Sequence, residues 1–173
     1  MEWGRPSGGD QGGGGLPRRE PDGKSGSSPV GEPRGDGRRV LVCDDEEQIR
    51  QLIRVNLELE GYDVVEAGDG PAALEILEDV TVPLPDVITM DVVMPRRDGW
   101  WMVEAIRADP RLAHIPIILV TASAQDQDRA QAERAAVDEF VSKPFDPVEL
   151  LTKIEGLVGG HSRGDRPSLE SRG

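Results

Sequence analysis

Between residues 39 and 158, short apolar runs alternate along the chain with longer stretches of helical spacing. Five runs read as strands: Arg39 to Asp44, Asp63 to Ala67, Asp86 to Asp91, Pro116 to Thr121 and Glu139 to Ser142. Three of them are continuous in apolar residues, as strands buried on both faces of a parallel sheet should be. The segments between and after them run for about 10 to 16 residues with the period of amphipathic helices. In the first, Ile49, Leu52, Ile53 and Leu57 share one face, and Gly61 suits a left-handed stop. In the last, Leu150, Leu151, Ile154, Leu157 and Val158 follow Asp146, Pro147 and Glu149, which suit the N-cap, first-turn and capping-box positions. The fourth, about Gln125 to Ala135, turns only alanines inward, so weak packing and fast exchange are expected there. A strict β-α repeat of five units predicts an α/β fold, a doubly wound five-stranded parallel sheet.

Composition brackets this domain. Residues 1–38 are rich in Gly, Pro and Ser, with a run of glycines at Gly12 to Gly15, and residues 159–173 return to the same polar character. Both read as disordered tails around a domain at 39–158. The formal charge of −13 is unevenly placed. Six acidic and six basic residues cancel in 1–38, whereas residues 39–158 hold 25 acidic against 11 basic, a net of −14. That balance argues against direct binding to nucleic acid or an anionic membrane, which needs clustered Lys and Arg. Cys43 is the single cysteine, so an internal disulfide and a thiolate cluster are excluded; it reads as a small apolar residue of a buried strand. No apolar stretch approaches the length of a spanning helix or a signal peptide, and a cytoplasmic protein is expected.

Sites in doubly wound sheets lie at the carboxyl ends of the strands. That rule gathers Asp44 and Asp45 after strand one, Asp91 after strand three, Thr121 after strand four and Lys143 after strand five. A carboxylate ending a buried apolar strand is costly without a partner. Three together suit a hard divalent cation, and Mg²⁺ is commonly held by one or two carboxylates with waters and a phosphoryl oxygen. Carboxylates also attack phosphoryl groups, which makes Asp91 a candidate nucleophile, with Lys143 to neutralise oxygen charge and Thr121 to donate a hydrogen bond. Asp98 and Gly99 read as a turn and helix entry. His114, in a loop, and His161, in a tail, receive no catalytic role.

VLVCDDEE, ITMDVVMPRRDGW, ILVTAS and FVSKPF, in this order and spacing, resemble the receiver domain of bacterial two-component response regulators. The resemblance spans about Arg39 to Val158 and implies the flavodoxin-like receiver fold with strand order 2-1-3-4-5. It implies Asp91 as phosphoacceptor from a histidine kinase or histidine phosphotransfer protein. Asp45, Asp91 and the main-chain carbonyl of Val93 would bind Mg²⁺ directly, and Asp44 through a water. Lys143 would pair with phosphoryl oxygens, ahead of a cis bond to Pro144. Thr121 and Phe140 would be the switch pair. No output domain is apparent after the receiver, so signalling through a protein target is expected, on the surface of the fourth and fifth helices and fifth strand.

Several positions depart from the family pattern. Ala136 stands where such domains usually have Gly, at a cost of about 1 kcal/mol if φ is positive there. Val93 and Ser123 flank the path of attacking water, and valine cannot orient it, so slow loss of the phosphoryl group is expected. By spacing with Val103 and Ile106, Trp100 faces the core, while Trp101 replaces a charged residue and is either a partner contact or partly buried against a loop. Other classes fit less well. A haloacid-dehalogenase-type phosphatase needs a second Asp where Val93 stands, and a flavodoxin-like redox protein needs a phosphate loop where Asp44 to Glu47 would repel phosphate. A pseudo-receiver, folded but unphosphorylated, is the alternative. The run Asp44 to Glu47 divides into Asp44 and Asp45 at the metal site and Glu46 and Glu47 at a helix start, where the dipole favours acidic residues by about 0.3 to 1 kcal/mol each.

Overall fold

The computed structural model describes residues 35–122 and 126–160. Ser123, Gln125, His161 and the two polar tails, apart from a few residues at their inner ends, lie outside the described residues. Five strands, β1 (Arg39–Cys43), β2 (Asp63–Ala67), β3 (Val87–Met90), β4 (Ile117–Thr121) and β5 (Glu139–Ser142), alternate with five helices, α1 (Glu47–Leu59), α2 (Gly70–Glu78), α3 (Gly99–Ala108), α4 (Asp126–Arg134) and α5 (Pro147–Gly159). The sheet has the order β2-β1-β3-β4-β5, and every pairing is parallel.

Alternation along the strands divides the core in two. Leu41, Cys43, Ile88, Met90, Ile117 and Leu119 point to the side packed by α2, α3 and Ala132 of α4. Val40, Val42, Val87, Ile118, Val120 and Val141 point to the side packed by α1 and α5. Since β1, β3 and β4 are buried on both faces, their sequences are apolar without alternation.

Local chemistry ends the helices where the chain requires it. At the end of α1, Gly61 takes φ 83 and donates to Glu58 O at 3.0 Å, and Tyr62 donates to Leu57 O at 3.1 Å. These are the two bonds of a Schellman stop, and the positive φ is what the glycine provides. Asp146 caps α5 by accepting from Val148 N at 2.9 Å, with Pro147 following. Ala136 does sit at positive φ, 55, held by Arg107, whose Nε and Nη2 donate to Ala136 O at 3.0 and 2.9 Å.

One side-chain placement differs from the periodicity. Leu52 is 41% exposed, because Ile53 and Leu57 take the core face of α1 and their neighbour at 52 is turned about 100° away. With Val55 and Leu59 it forms an outward apolar strip instead. Trp100, half-buried, packs against the core as its spacing with Val103 and Ile106 predicts, beside the fully buried Met102, Val103 and Ile106. Trp101 is half-buried too, under the guanidinium of Arg97 at 4.9 Å from the ring centre, so the partial-burial alternative holds.

Candidate metal centre

The sheet ladder continues one residue past each strand and thereby sets the site. Cys43 pairs with Met90 and Thr121 with Ser142. Beyond them, Asp44 N donates to Ala67 O at 3.1 Å, Asp91 N to Cys43 O at 2.9 Å and Lys143 N to Thr121 O at 2.8 Å. Residues from four strand ends therefore meet at one edge. Asp44, Asp45 and Asp91 each offer an oxygen within 4.8 Å of the others. Asp44 and Asp91 are buried, and Asp45 is exposed at the mouth.

Lys143 closes the cluster. Its Nζ donates to Asp91 Oδ2 at 3.0 Å and lies 2.7 Å from Asp44 Oδ2. Burial works against its charge, but the contacts with Asp44 and Asp91 outweigh it and hold the ammonium well above its usual range. For Asp44 the balance is reversed: burial, with repulsion from Asp91, raises its pKa despite Lys143 and the Glu46 backbone N–H. Asp44 Oδ2 is buried and faces Lys143 Nζ. An oxygen-only donor set of three clustered carboxylates fits a hard divalent cation. Burial also pushes the Cys43 thiol up to about 12, with Asp44, Asp69 and Asp91 adding to it, as suits an inert strand residue.

The acidic run divides differently from its sequence reading. Glu46 is the N-cap of α1 but makes no side-chain cap bond. Its carboxylate reaches Lys143 Nζ at 3.2 Å, so Glu46 belongs to the charge cluster and only Glu47 lies in the first turn of the helix. The cap role passes to Asp44, whose Oδ1 accepts from Glu46 N at 2.9 Å. A contact across 97 residues cannot be inferred from local pattern.

Two supporting residues escape a reading of motifs alone. Arg50, one turn into α1, donates to Asp44 O at 2.7 Å and pairs with Glu66 at 3.6 Å. The available signal is a lone cation just after four carboxylates. Asp69 caps α2 by accepting from Ala72 N at 2.8 Å and pairs with Arg96 at 2.7 Å. Its signal is the helix-start pattern Asp69-Gly70-Pro71.

Of the remaining candidates, Thr121 is buried at the end of β4, Phe140 is half-buried against the α3 and α4 side, and Val93 is 67% exposed on the β3–α3 loop. Val93 N donates to Asp91 Oδ1 at 3.1 Å. The Lys143–Pro144 bond is cis. Gly99 is required where it stands: a Cβ there would lie 2.4 Å from Asp91 O and 2.9 Å from Val92 Cα, so α3 starts in direct backbone contact with the Asp91 segment. His114 lies outside this cluster. Among the described residues, no helix is long and apolar enough to cross a membrane.

Comparison with known proteins agrees with this arrangement. The chain is 36% identical to the DNA-binding dual master transcriptional regulator RpaA of Synechocystis sp. over 120 residues, 69% of this chain and 48% of RpaA. It is 38% identical to the response regulator PleD of Caulobacter vibrioides over 120 residues, 69% of this chain and 26% of PleD. It thus spans about half, or less, of the length of these curated relatives. The chemotaxis protein CheY4 of Vibrio cholerae is similar in structure, with a TM-score of 0.66 and 30% identity over 70% of this chain and 98% of CheY4. Residues 40–155 match the response regulator receiver domain, and with the sheet order and the strand-end carboxylates the chain belongs to that family of two-component signalling proteins.

Proposed function

We propose that this receiver accepts a phosphoryl group on Asp91 from a histidine kinase or histidine phosphotransfer protein, in a Mg²⁺-dependent reaction, and signals through a protein contact. The observation that carries this reading is Lys143 Nζ at 3.0 Å from Asp91 Oδ2, within a set of three carboxylates whose oxygens lie within 4.8 Å. Asp45, Asp91 and the Val93 carbonyl would hold Mg²⁺, with Asp44 acting through a coordinated water. Bound there, the ion supplies charge neutralisation for the carboxylates and the incoming phosphoryl oxygens.

The chain's own groups do the rest. A carboxylate oxygen of Asp91 forms the new bond to phosphorus as the P–N bond to the donor imidazole breaks, and the nitrogen leaves with its electron pair. Lys143 shifts from its carboxylate partners toward the phosphoryl oxygens. Thr121 donates its hydroxyl to a phosphoryl oxygen, and the ring of Phe140 turns into the space left behind. Among the residues of α4 whose burial is described, only Ala132 is buried, so this helix can follow the movement cheaply. This supports an output surface on α4, β5 and α5. The net charge of −14 over residues 39–158 supports a protein, rather than nucleic acid or a membrane, as the direct partner of this surface.

The test is incubation with a small phosphodonor and Mg²⁺ followed by intact mass. Gain of one phosphoryl group, abolished in Asp91→Asn and by chelation of Mg²⁺, is expected. No gain would support an unphosphorylated pseudo-receiver instead.

A further inference from the structure

The loop between β3 and α3, residues 91–98, carries the Val93 carbonyl, and its base is tightly held. Val93 N donates to Asp91 Oδ1, Gly99 N donates to Val92 O at 2.8 Å, and the Met94 side chain is buried beside Cys43. The far end of the loop is different. Arg97 N donates to Pro95 O at 2.8 Å across a three-residue turn centred on Arg96, which sits at φ 68. A γ-turn with positive φ is rare and strained for a residue with a side chain. Such backbone persists where its surroundings over-determine it.

The Arg96 side chain meets Asp69. The Asp69 side chain is 12% exposed, while that of Arg96 is 71% exposed, so one fixed carboxylate holds one solvent-exposed cation at 2.7 Å. Asp69 is itself fixed, since its other oxygen caps α2. The loop also lies directly on the start of α2: a Cβ on Gly70 would meet Arg97 O at 3.2 Å and Arg97 Cβ at 3.3 Å. A single carboxylate therefore joins the β2–α2 and β3–α3 loops beside the acidic pocket.

We propose that Asp69 and Arg96 are positioning residues for the metal centre: their ion pair locks the β3–α3 loop so that the Val93 carbonyl stays presented beside Asp91. The proposal rests on the Mg²⁺ reading above. It also makes a claim opposite in sign to simple electrostatics. Arg96 is a cation close to a cation site, so its removal would strengthen Mg²⁺ binding if charge alone mattered. Loss of the lock weakens it.

The experiment is Mg²⁺ titration of the full chain by calorimetry, with thermal melts of each variant in metal-free buffer. Arg96→Gln should weaken Mg²⁺ binding about three- to tenfold, between the effect of an exposed ion pair and that of an outer-shell metal partner. Arg96→Lys keeps the charge and can reach the same carboxylate, so it should stay within about twofold of the original chain. Asp69→Ser keeps the helix cap but not the ion pair. It should weaken binding as well, and adding Arg96→Gln to it should cost nothing further. Melting temperatures of the Arg96 variants should be unchanged. Arg96→Gln binding Mg²⁺ as tightly as the original chain, or more tightly, overturns the lock while leaving the metal reading intact. Failure of the original chain to bind Mg²⁺, or unchanged binding in Asp45→Asn, overturns the metal reading and the lock with it.

Discussion

Replacing Lys143 with methionine removes the ammonium at nearly constant shape. In the metal-free protein this cation lies 2.7 Å from Asp44, 3.0 Å from Asp91 and 3.2 Å from Glu46. At an effective dielectric of 20, each of the two buried contacts is worth roughly 5 to 6 kcal/mol of gross attraction, most of it offset by the cost of burying the ammonium. Removing one partner of a buried ion pair typically costs about 3 to 5 kcal/mol. Here Asp44 can take up a proton, since its pKa is already raised, and Glu46 stays in solvent. The lower end, about 3 kcal/mol, is therefore expected. For a domain of this size that is a fall in Tm of roughly 10 °C. Mg²⁺ replaces the missing positive charge, so saturating metal should reduce the loss to about 1 kcal/mol, which by linkage requires Lys143→Met to bind Mg²⁺ more tightly than the original chain. Urea melts of both proteins with and without Mg²⁺ measure all four states. A metal-free loss below about 0.5 kcal/mol would show Lys143 to be an ordinary surface charge. A loss that Mg²⁺ does not reduce would break the link between the ammonium and the metal.

Other outcomes follow from the same geometry. Asp44 has a pKa raised in the folded state, so metal-free stability contributed by this group grows as pH falls through its folded pKa and is lost as pH rises. Asp44→Asn should accordingly raise the metal-free Tm at neutral pH, flatten the acid side of the stability profile, and reduce the gain from Mg²⁺ without abolishing it, since Asp44 reaches the ion only through a water; a lower Tm would contradict the burial argument. Ala136→Gly relieves φ 55 but frees the unfolded chain, leaving a net gain of about 0.5 to 1 kcal/mol in a urea melt. Val93→Asn places a side chain able to orient water beside Asp91, and decay of the phosphorylated protein followed by intact mass should quicken; unchanged decay would remove valine as the cause of persistence. Amide exchange should be faster in α4, whose described core contact is Ala132, than in β3, where Val87, Ile88 and Met90 are fully buried. Equal protection would refute light packing of α4.

The fold was legible because burial on both faces leaves a direct mark on composition. VLVC, VITM and IILVT are short, apolar and β-branched-rich, as strands with helices on each side should be, and Gly61 and Asp146 mark a helix end and a helix start by backbone chemistry that is local. Legibility weakened where one residue of rotation matters. Leu52 and Ile53 are both apolar, and only packing decided which faced the core.

The chemistry divides along the same line. That Asp44, Asp45, Asp91, Thr121 and Lys143 come together follows from sequence, because parallel strands in register deliver their final residues to one edge. Which groups then pair was decided by the tertiary structure alone. Glu46 with Lys143, Asp69 with Arg96, and Arg107 with the carbonyl of Ala136 are side chains meeting across 27 to 97 residues. Periodicity reports the direction a side chain leaves its own element, but not how far it reaches or what charge awaits it. Those are set by loop geometry and burial, which exist only once the sheet has closed and the two layers of helices have packed.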